Sequence, residues 1–521
     1  MPQISYAGAF NSATLSVPDV YLNVLPPKGG VVRPASVGVL AIRGVASWGP
    51  VDVATPVGSL AQLAIFGAQT VRKYDLVTAA VIALQTQLAI GAGSGLMLSR
   101  ATDGTDAAAT VAVGTTGVTI TSKYTGTAGN SAAITLAEGS SSTTAVPTWK
   151  ATITMPGFAS EVFDNIGGTA NALWVNIANA INNGNSPQRG PSDLVIATAG
   201  ASTSDPTAGT SALTGGTDGV ATITSSVLVG SESGSTRTGI YSFRALGCSD
   251  GTIADFDDHT QESTLITFAK SEGIYWHTNG PAGETPTTAQ SAKQTAGTDD
   301  PWLKVYLGDW VYWNDNVNGQ QRLLGPSTFG AAVISTLQPQ QSGLNKQVPG
   351  VVATQRSKSG NPYANQELAT LTNSGIEAVV NPIPRGNVFG LRIGKTSSSD
   401  GTRNTDNWPR LTSFIARSLA GPGALGPAIG QVITDEFFRT WYDVLDAYLS
   451  GLKNARPEAI IQNYQISFSR DNNPQAQTAQ GIVVAEVLIQ YLGIAQVFLV
   501  NLQTGATVVI PQSASSFALS A

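Results

Sequence analysis

Hydrophobic positions in this chain repeat with two different periods, and the switches between them divide it into segments. Val37 to Ile42 is a short continuous apolar run and predicts a buried strand. From Asp75 to Leu88 the apolar residues Leu76, Val77, Ala80, Val81, Leu84 and Leu88 recur at helical spacing, which predicts an amphipathic helix, and Leu96-Met97-Leu98 then closes a strand–helix–strand unit. Between about 105 and 220 the period shortens to two. Runs such as Val118-Thr-Ile-Thr-Ser and Ala151-Thr-Ile-Thr-Met alternate between turn residues in a Ser-, Thr-, Gly- and Ala-rich background, the pattern of an inserted β-sandwich. From 221 to about 365 strands and helices alternate: a helix ending over Tyr241–Leu246, a helix over Thr260–Ser271, strands at Ile274–His277 and Trp302–Leu307, and a helix from Pro326. That alternation implies an α/β layer with a mostly parallel sheet.

The clearest helix is predicted over Thr434–Lys453. Phe437, Phe438, Trp441, Tyr442, Leu445, Tyr448, Leu449 and Leu452 form one stripe, and Glu436, Arg439, Asp443 and Asp446 lie opposite. Thr434 suits the cap, Asp435 and Glu436 the positive end, and Lys453 the negative end. Tyr464, Ile466 and Phe468 alternate with polar residues as in a half-buried strand, and a turn follows at Asp471-Asn-Asn-Pro474. Three further strands are expected at Ile482–Tyr491, Ile494–Leu502 and Thr507–Ile510. The stretch Ile482–Leu502 is apolar enough to resemble a membrane span. Glu486, Gln490, Gln496 and Gly493 interrupt it and Val and Ile dominate, so two buried strands joined at Tyr491-Leu492-Gly493 fit better and no membrane insertion is expected. The first thirty residues hold short apolar clusters (Ile4, Tyr6, Phe10; Val17, Val20, Tyr21, Val24) and end in Pro26-Pro27-Lys28-Gly29-Gly30, so they read as a detached arm.

Composition narrows the function classes. The 521 residues carry 56 glycines and 42% hydrophobic residues, yet one cysteine (Cys248), two histidines (His259, His277) and only 12% charged residues, a poor inventory for catalysis. A chain of this length should divide into several domains. A net charge of −6 argues against a nucleic-acid partner, which would require a basic face. A single cysteine makes no internal disulfide. The opening Met1-Pro-Gln-Ile-Ser-Tyr has neither a basic nor an apolar leader region, so no secretory signal is expected.

Four motifs could carry chemistry. Gly247-Cys248-Ser249-Asp250-Gly251 fits G-x-S-x-G, with His277 at a strand end as a conceivable base, but the nucleophile elbow needs a strand before it and a helix directly after. Here a helix precedes and a strand or loop follows, so a helix-terminating turn is the simpler reading. Asp255, Asp257, Asp258 and His259 cluster as possible metal ligands, where a helix start would favour Asp anyway. Gly91-Ala-Gly-Ser-Gly95 follows a helix and lacks the lysine of a phosphate-binding loop. Asp309 and Asp315 flank Trp310-Val-Tyr-Trp313, and aromatic packing beneath a turn explains them better than a sugar platform does. No catalytic, metal or cofactor residue is assigned.

Taken in order along the chain, a further set of motifs resembles the contractile tail-sheath proteins of myophages and related injection machines. Val17-Pro18-Asp19-Val20-Tyr21 is similar to that family's PGVY-type opening, with Asp in place of the usual Gly. Ser36-Val-Gly-Val-Leu-Ala-Ile, Gly44 and Trp48-Gly49-Pro50 resemble its next stretch, followed by Ser59, Phe66-Gly67, Ala79-Ala80-Val81 and Ser99-Arg100. Gly126-Thr-Ala-Gly129-Asn130 and Leu213…Gly215-Gly216…Asp218-Gly219 resemble borders of its β-sandwich. Leu371-Thr-Asn-Ser-Gly375-Ile376, Gly390-Leu-Arg392, Lys395-Thr396, Asp471-Asn-Asn-Pro474 and Gly481-Ile-Val-Val complete the series. Trp408-Pro-Arg-Leu departs from the family's tendency toward paired arginines there.

The resemblance implies an α+β multidomain fold: an arm over 1–30, an N-terminal α/β segment over 31–104, a β-sandwich insertion over 105–220, a subtilisin-like α/β domain without catalytic implication over 221–365, an α+β inner domain over 366–495, and a linker strand and tail over 496–521. It implies a structural, non-enzymatic subunit that polymerises with itself, in stacked six-membered rings, around a tail tube. Contacts to baseplate and tail-terminator proteins follow, in a phage tail assembled in the host cytoplasm. The arm residues Val17, Val20, Tyr21, Val24, Val497, Phe498, Val500 and Leu502 are expected to add strands to neighbouring copies, and Glu436, Arg439, Asp443 and Asp446 to face the tube or solvent. A β-rich virion or surface protein, or a serine hydrolase using Ser249, are the alternatives.

Overall fold

The structure is a computed structural model that describes residues 3–6, 21–24 and 32–504, apart from 94, 186, 235, 422, 501 and 503. It is an α+β protein of several sheets. Its central sheet has seven strands in the order Ile376–Glu377, Leu303–Tyr306, Tyr275–Asn279, Asp250–Ile253, Leu40–Val45, Leu96–Ala101 and Thr55–Val57. Every neighbouring pair is parallel except the last. The strands are buried on both faces because helices cover both, and they carry polar and charged residues such as Asp250, His277 and Lys304 as well as apolar ones. Ala41, Val45, Ile253, Trp276 and Leu303 face Leu265, Phe268 and Ala269 of the helix Glu262–Glu272. On the other side Leu40, Ile42, Leu96 and Leu98 meet the helices Leu76–Ile90 and Pro326–Ser335.

Two expectations about helices change here. Leu76–Ile90 packs against both the sheet and Pro326–Ser335, so Ala79, Ile82 and Ala83 are buried along with Leu76, Val77 and Ala80 of the predicted stripe, whereas Val81 and Leu84 on it are partly buried and Leu88 is 81% exposed. The helix end expected over Tyr241–Leu246 is a single 3₁₀ turn, Gly239–Phe243.

The strands from Ala108 to Ala212 form two antiparallel sheets, one of four strands and one of three. Ile134, Leu136, Ala151, Ile153 and Phe163 from one meet Val118, Ile120, Val195 and Ala197 from the other in a shared core. A helix that was not anticipated, Ala170–Asn183, adds Leu173, Trp174, Ile177 and Ile181 to it. Another unanticipated element is the three-stranded antiparallel sheet of Gln320–Leu324, Val311–Asp315 and Val351–Thr354.

In the last third, Asp435–Lys453 forms as expected, with Thr434 Oγ1 accepting the Phe437 amide at 3.1 Å, although Tyr442, placed on the apolar stripe, is exposed. A second helix, Asn407–Ala420, packs beside it. The strand Asn463–Ser467 pairs antiparallel with Glu486–Gln490, and Tyr464, Ile466, Val487 and Ile489 turn toward Leu411, Tyr448, Leu449 and Leu452. Here the reading of two buried strands needs correction. Only Glu486–Gln490 of Ile482–Tyr491 is strand, it is half-buried on one face, and residues 491–500 form none. A strand exists only with a partner for its amides and carbonyls, and residues 491–500 have no strand partner among the described residues. The strand expected at Thr507–Ile510 lies outside the described residues. Among the described residues, no helix is long and apolar enough to cross a membrane.

Candidate functional site: buried polar clusters and open strand edges

The motif around Ser249 ends a turn and enters the central strand Asp250–Ile253, with no helix behind it. Ser249 Oγ lies 2.8 Å from Asp250 Oδ2 and accepts the Gly38 amide at 3.1 Å. Asp250 Oδ1 is 3.4 Å from His277 Nε2 and 3.6 Å from Arg410 Nε, and His277 Nδ1 is 3.2 Å from Tyr306 Oη. All of these groups are buried. Burial holds His277 below its ordinary pKa against the pull of Asp250. Burial raises Asp250, but Arg410 and His277 more than offset it and keep the carboxylate charged. The neighbouring Cys248 thiol is pushed up to about 12 by burial, the opposite of a reactive thiolate. Beside this cluster Lys304 Nζ sits 2.8 Å from Glu377 Oε2 and 3.5 Å from Asp406 Oδ2, again fully buried. Arg410 also donates to Leu337 O at 2.6 Å, and Arg417 to Cys248 O at 3.0 Å. The polar face of the Asn407–Ala420 helix thus ties the last third of the chain to the ends of the central strands.

The residues considered as metal ligands are each engaged elsewhere. Asp255 Oδ1 accepts the Gly325 amide at 2.8 Å, Asp257 pairs with Lys73 at 2.8 Å, and Asp258 accepts the Thr260 amide at 2.9 Å. His259 lies between Glu262 and Glu284, which outweigh burial and raise it to about 10. Among the described residues no group of acidic, histidine and cysteine side chains has the arrangement to hold a metal. Gly91 ends the Leu76–Ile90 helix, so the glycine-rich run is a helix terminus. Asp309 accepts the Arg356 amide and the Tyr363 hydroxyl, at 3.0 and 2.8 Å, and Asp315 accepts the Asn318 amide at 2.9 Å. They hold turns and do not face one another across a cleft.

Open strand edges lie toward the two ends of the chain. Gln3–Tyr6 and Tyr21–Val24 pair with each other in a parallel two-stranded sheet, in the register Gln3 to Tyr21 through Tyr6 to Val24. Val17 and Val20 lie outside the described residues. The sheet of Asn463–Ser467 and Glu486–Gln490 likewise has two strands and no third among the described residues, so both outer edges present unpaired backbone groups. Beyond it Val497, Phe498, Val500 and Leu502 are 67–90% exposed, a run of large apolar side chains that no core among the described residues takes in. On Asp435–Lys453, Glu436 and Arg439 form an exposed pair at 3.4 Å and Asp443 is exposed, whereas Asp446 accepts the Tyr464 hydroxyl at 2.7 Å.

No protein-family model and no curated protein matches this sequence. Solved structures do share its fold. The sheath tail protein of Desulfitobacterium hafniense aligns over 91% of this chain and 100% of its own, at 13% identity and a TM-score of 0.55. That of Listeria innocua aligns over 84% and 90%, at 15% identity and a TM-score of 0.56. The helical sheath of the anti-feeding prophage in its contracted state aligns over 94% and 100%, at 13% identity and a TM-score of 0.51. The chain therefore has the fold of contractile sheath tail proteins over most of its length.

Proposed function

We propose that this chain, folded as the sheath tail proteins are, is the structural subunit of a contractile sheath. It polymerises helically around a tail tube and contracts to drive that tube through an envelope. The observation that carries the reading is the pairing of two features incomplete among the described residues: a two-stranded sheet with both edges open, and an exposed apolar run without a strand partner. Each supplies what the other lacks if they come from different copies. A strand adding about five backbone hydrogen bonds at ~1 kcal/mol net each contributes roughly 5 kcal/mol per link, before any burial of Phe498 and its neighbours.

Repeated heterologous links of this kind build an open helical array of rings. The bodies can then swing outward and repack while the arms stay paired, releasing strain set at assembly. In this reading residues 1–30 and 496–521 are the linkers, 105–220 the outward insertion, the central sheet the family's subtilisin-like layer, and 366–495 the inner domain. Glu436, Arg439 and Asp443 face the tube, with baseplate and terminator proteins at the two ends of the array in a phage or phage-like tail. The chain acts as a mechanical part and not as an enzyme. Negative-stain imaging of the purified chain over a range of concentration tests this: regularly striated hollow cylinders are expected, and dispersed monomers at every concentration contradict it.

A further inference from the structure

The joint between the sandwich insertion and the central sheet is not built like a linker. The chain enters and leaves the insertion side by side, with the Asp103 amide donating to Gly219 O at 2.7 Å and the Ala107 amide to Thr217 O at 3.1 Å. Trp48 follows the central strand Leu40–Val45, yet its ring belongs to the core of the insertion. It stands edge-on to Tyr124 and Phe158 at 5.1 and 5.4 Å, and its Nε1 donates to Tyr124 O at 3.1 Å. Beneath it the Ala128 amide donates to Ser47 O at 3.1 Å. The approach is close enough that a Cβ on Gly126, whose φ is +131°, would lie 2.0 Å from Ser47 O. Arg100, buried in the strand Leu96–Ala101, reaches across the same seam. Its Nη1 donates to Gly49 O at 2.9 Å and Thr125 O at 2.6 Å, and its Nη2 to Asp218 O at 3.1 Å. Asp218 then accepts the Thr127 amide at 2.6 Å and pairs with Arg72 at 2.7 Å.

We propose that Trp48 and Arg100 clamp the sandwich insertion to the central sheet, so that the two turn as one rigid lever and not as domains on a hinge. Opening a hinge here would draw an indole out of a packed core and strand a buried guanidinium and three carbonyls without partners. Any rotation of the central sheet is therefore transmitted in full to the insertion. The clamp is a property of the single chain and does not rest on the sheath reading; either can fail while the other stands.

The test is a pair of spin labels on the full-length chain, at Thr143→Cys in the insertion and Gln294→Cys beside the central sheet, both exposed positions. The native Cys248 is buried and out of reach of the label. A single narrow distance distribution is expected for the parent and for Trp48→Phe, and a several-fold broader one for Trp48→Ala and Arg100→Met. Should Trp48→Ala unfold the insertion, Arg100→Met decides alone, since it leaves the sandwich core untouched. A broad distribution in the parent, or a narrow one retained in Arg100→Met, overturns the clamp.

Discussion

Asp250 stands between Ser249 and His277, with the serine hydroxyl 2.8 Å from one carboxylate oxygen and the imidazole 3.4 Å from the other. In a serine hydrolase the imidazole occupies the middle position, where it can take the hydroxyl proton. Here the carboxylate does, and the whole set is sealed beneath Arg410 and the helix Asn407–Ala420. The same residue types serve cohesion instead. Ser249→Ala is accordingly expected to leave reactivity toward a fluorophosphonate probe unchanged, while lowering stability by about 1–2 kcal/mol through the orphaned Gly38 amide, read from the urea midpoint.

Among the described residues Lys304 is the one cation paired with Glu377 Oε2 and Asp406 Oδ2, at 2.8 and 3.5 Å, and all three side chains are buried. Replacing it with Met leaves two buried carboxylates without their counter-ion. The expected loss is about 3–5 kcal/mol, measured by chemical denaturation at neutral pH, with part of it recovered at lower pH as a carboxylate takes up a proton.

Asp255 carries the opposite sign. Burial raises its pKa to about 6, against the smaller pull of the Gly325 amide and Arg322, and its φ is +48°. A carboxyl whose folded pKa lies above the unfolded one binds its proton more tightly when folded. It favours the fold below about pH 4 and loses that contribution as pH rises through about 6. Asp255→Asn, which keeps an acceptor for Gly325 and tolerates a positive φ, is expected to raise stability at pH 7 by about 1–3 kcal/mol and to flatten the pH dependence between roughly 4 and 6. Thermal unfolding of both proteins at pH 5 and pH 7.5 measures it; an equal difference at both pH values contradicts it.

Sequence patterning located elements where one period and one buried face coincide. Leu40–Val45, Tyr275–Asn279 and Leu303–Tyr306 are buried throughout, and short apolar stretches at Val37–Ile42 and Ile274–Trp276 mark the first two even though Arg43, His277 and Lys304 are polar. The helix Asn407–Ala420 escaped notice because half of what it buries is polar: Asn407, Arg410, Ser413 and Ser418 face inward beside Leu411, Phe414 and Ile415. Ala170–Asn183 escaped because it interrupts a region whose neighbours alternate with period two. Apolar character misled at 494–500, where side chains suited to a strand find no second strand among the described residues. That shortfall was also the most useful signal, since the partner a strand lacks within its own chain can be supplied by another copy. The candidate chemistry at Ser249 and Asp255 was visible as residue types, but which atoms face which was not.

Exposed apolar residues in the C-terminal segment serve contact between copies in this account, so charge there should cost assembly and not folding. Phe498→Asp with Val500→Asp is expected to leave the circular dichroism spectrum and melting temperature within error of the parent, because both side chains are largely exposed, at 90% and 67%. Sedimentation should shift from large assemblies to a single slow species.

The most direct measurement is electron microscopy of the full-length chain beside a version lacking residues 1–25, purified and concentrated alike. If copies are held together by lent strands, the full chain forms striated tubes and the shortened one gives monomers or single rings of unchanged fold. Tubes of normal length and striation from the shortened chain would contradict the account.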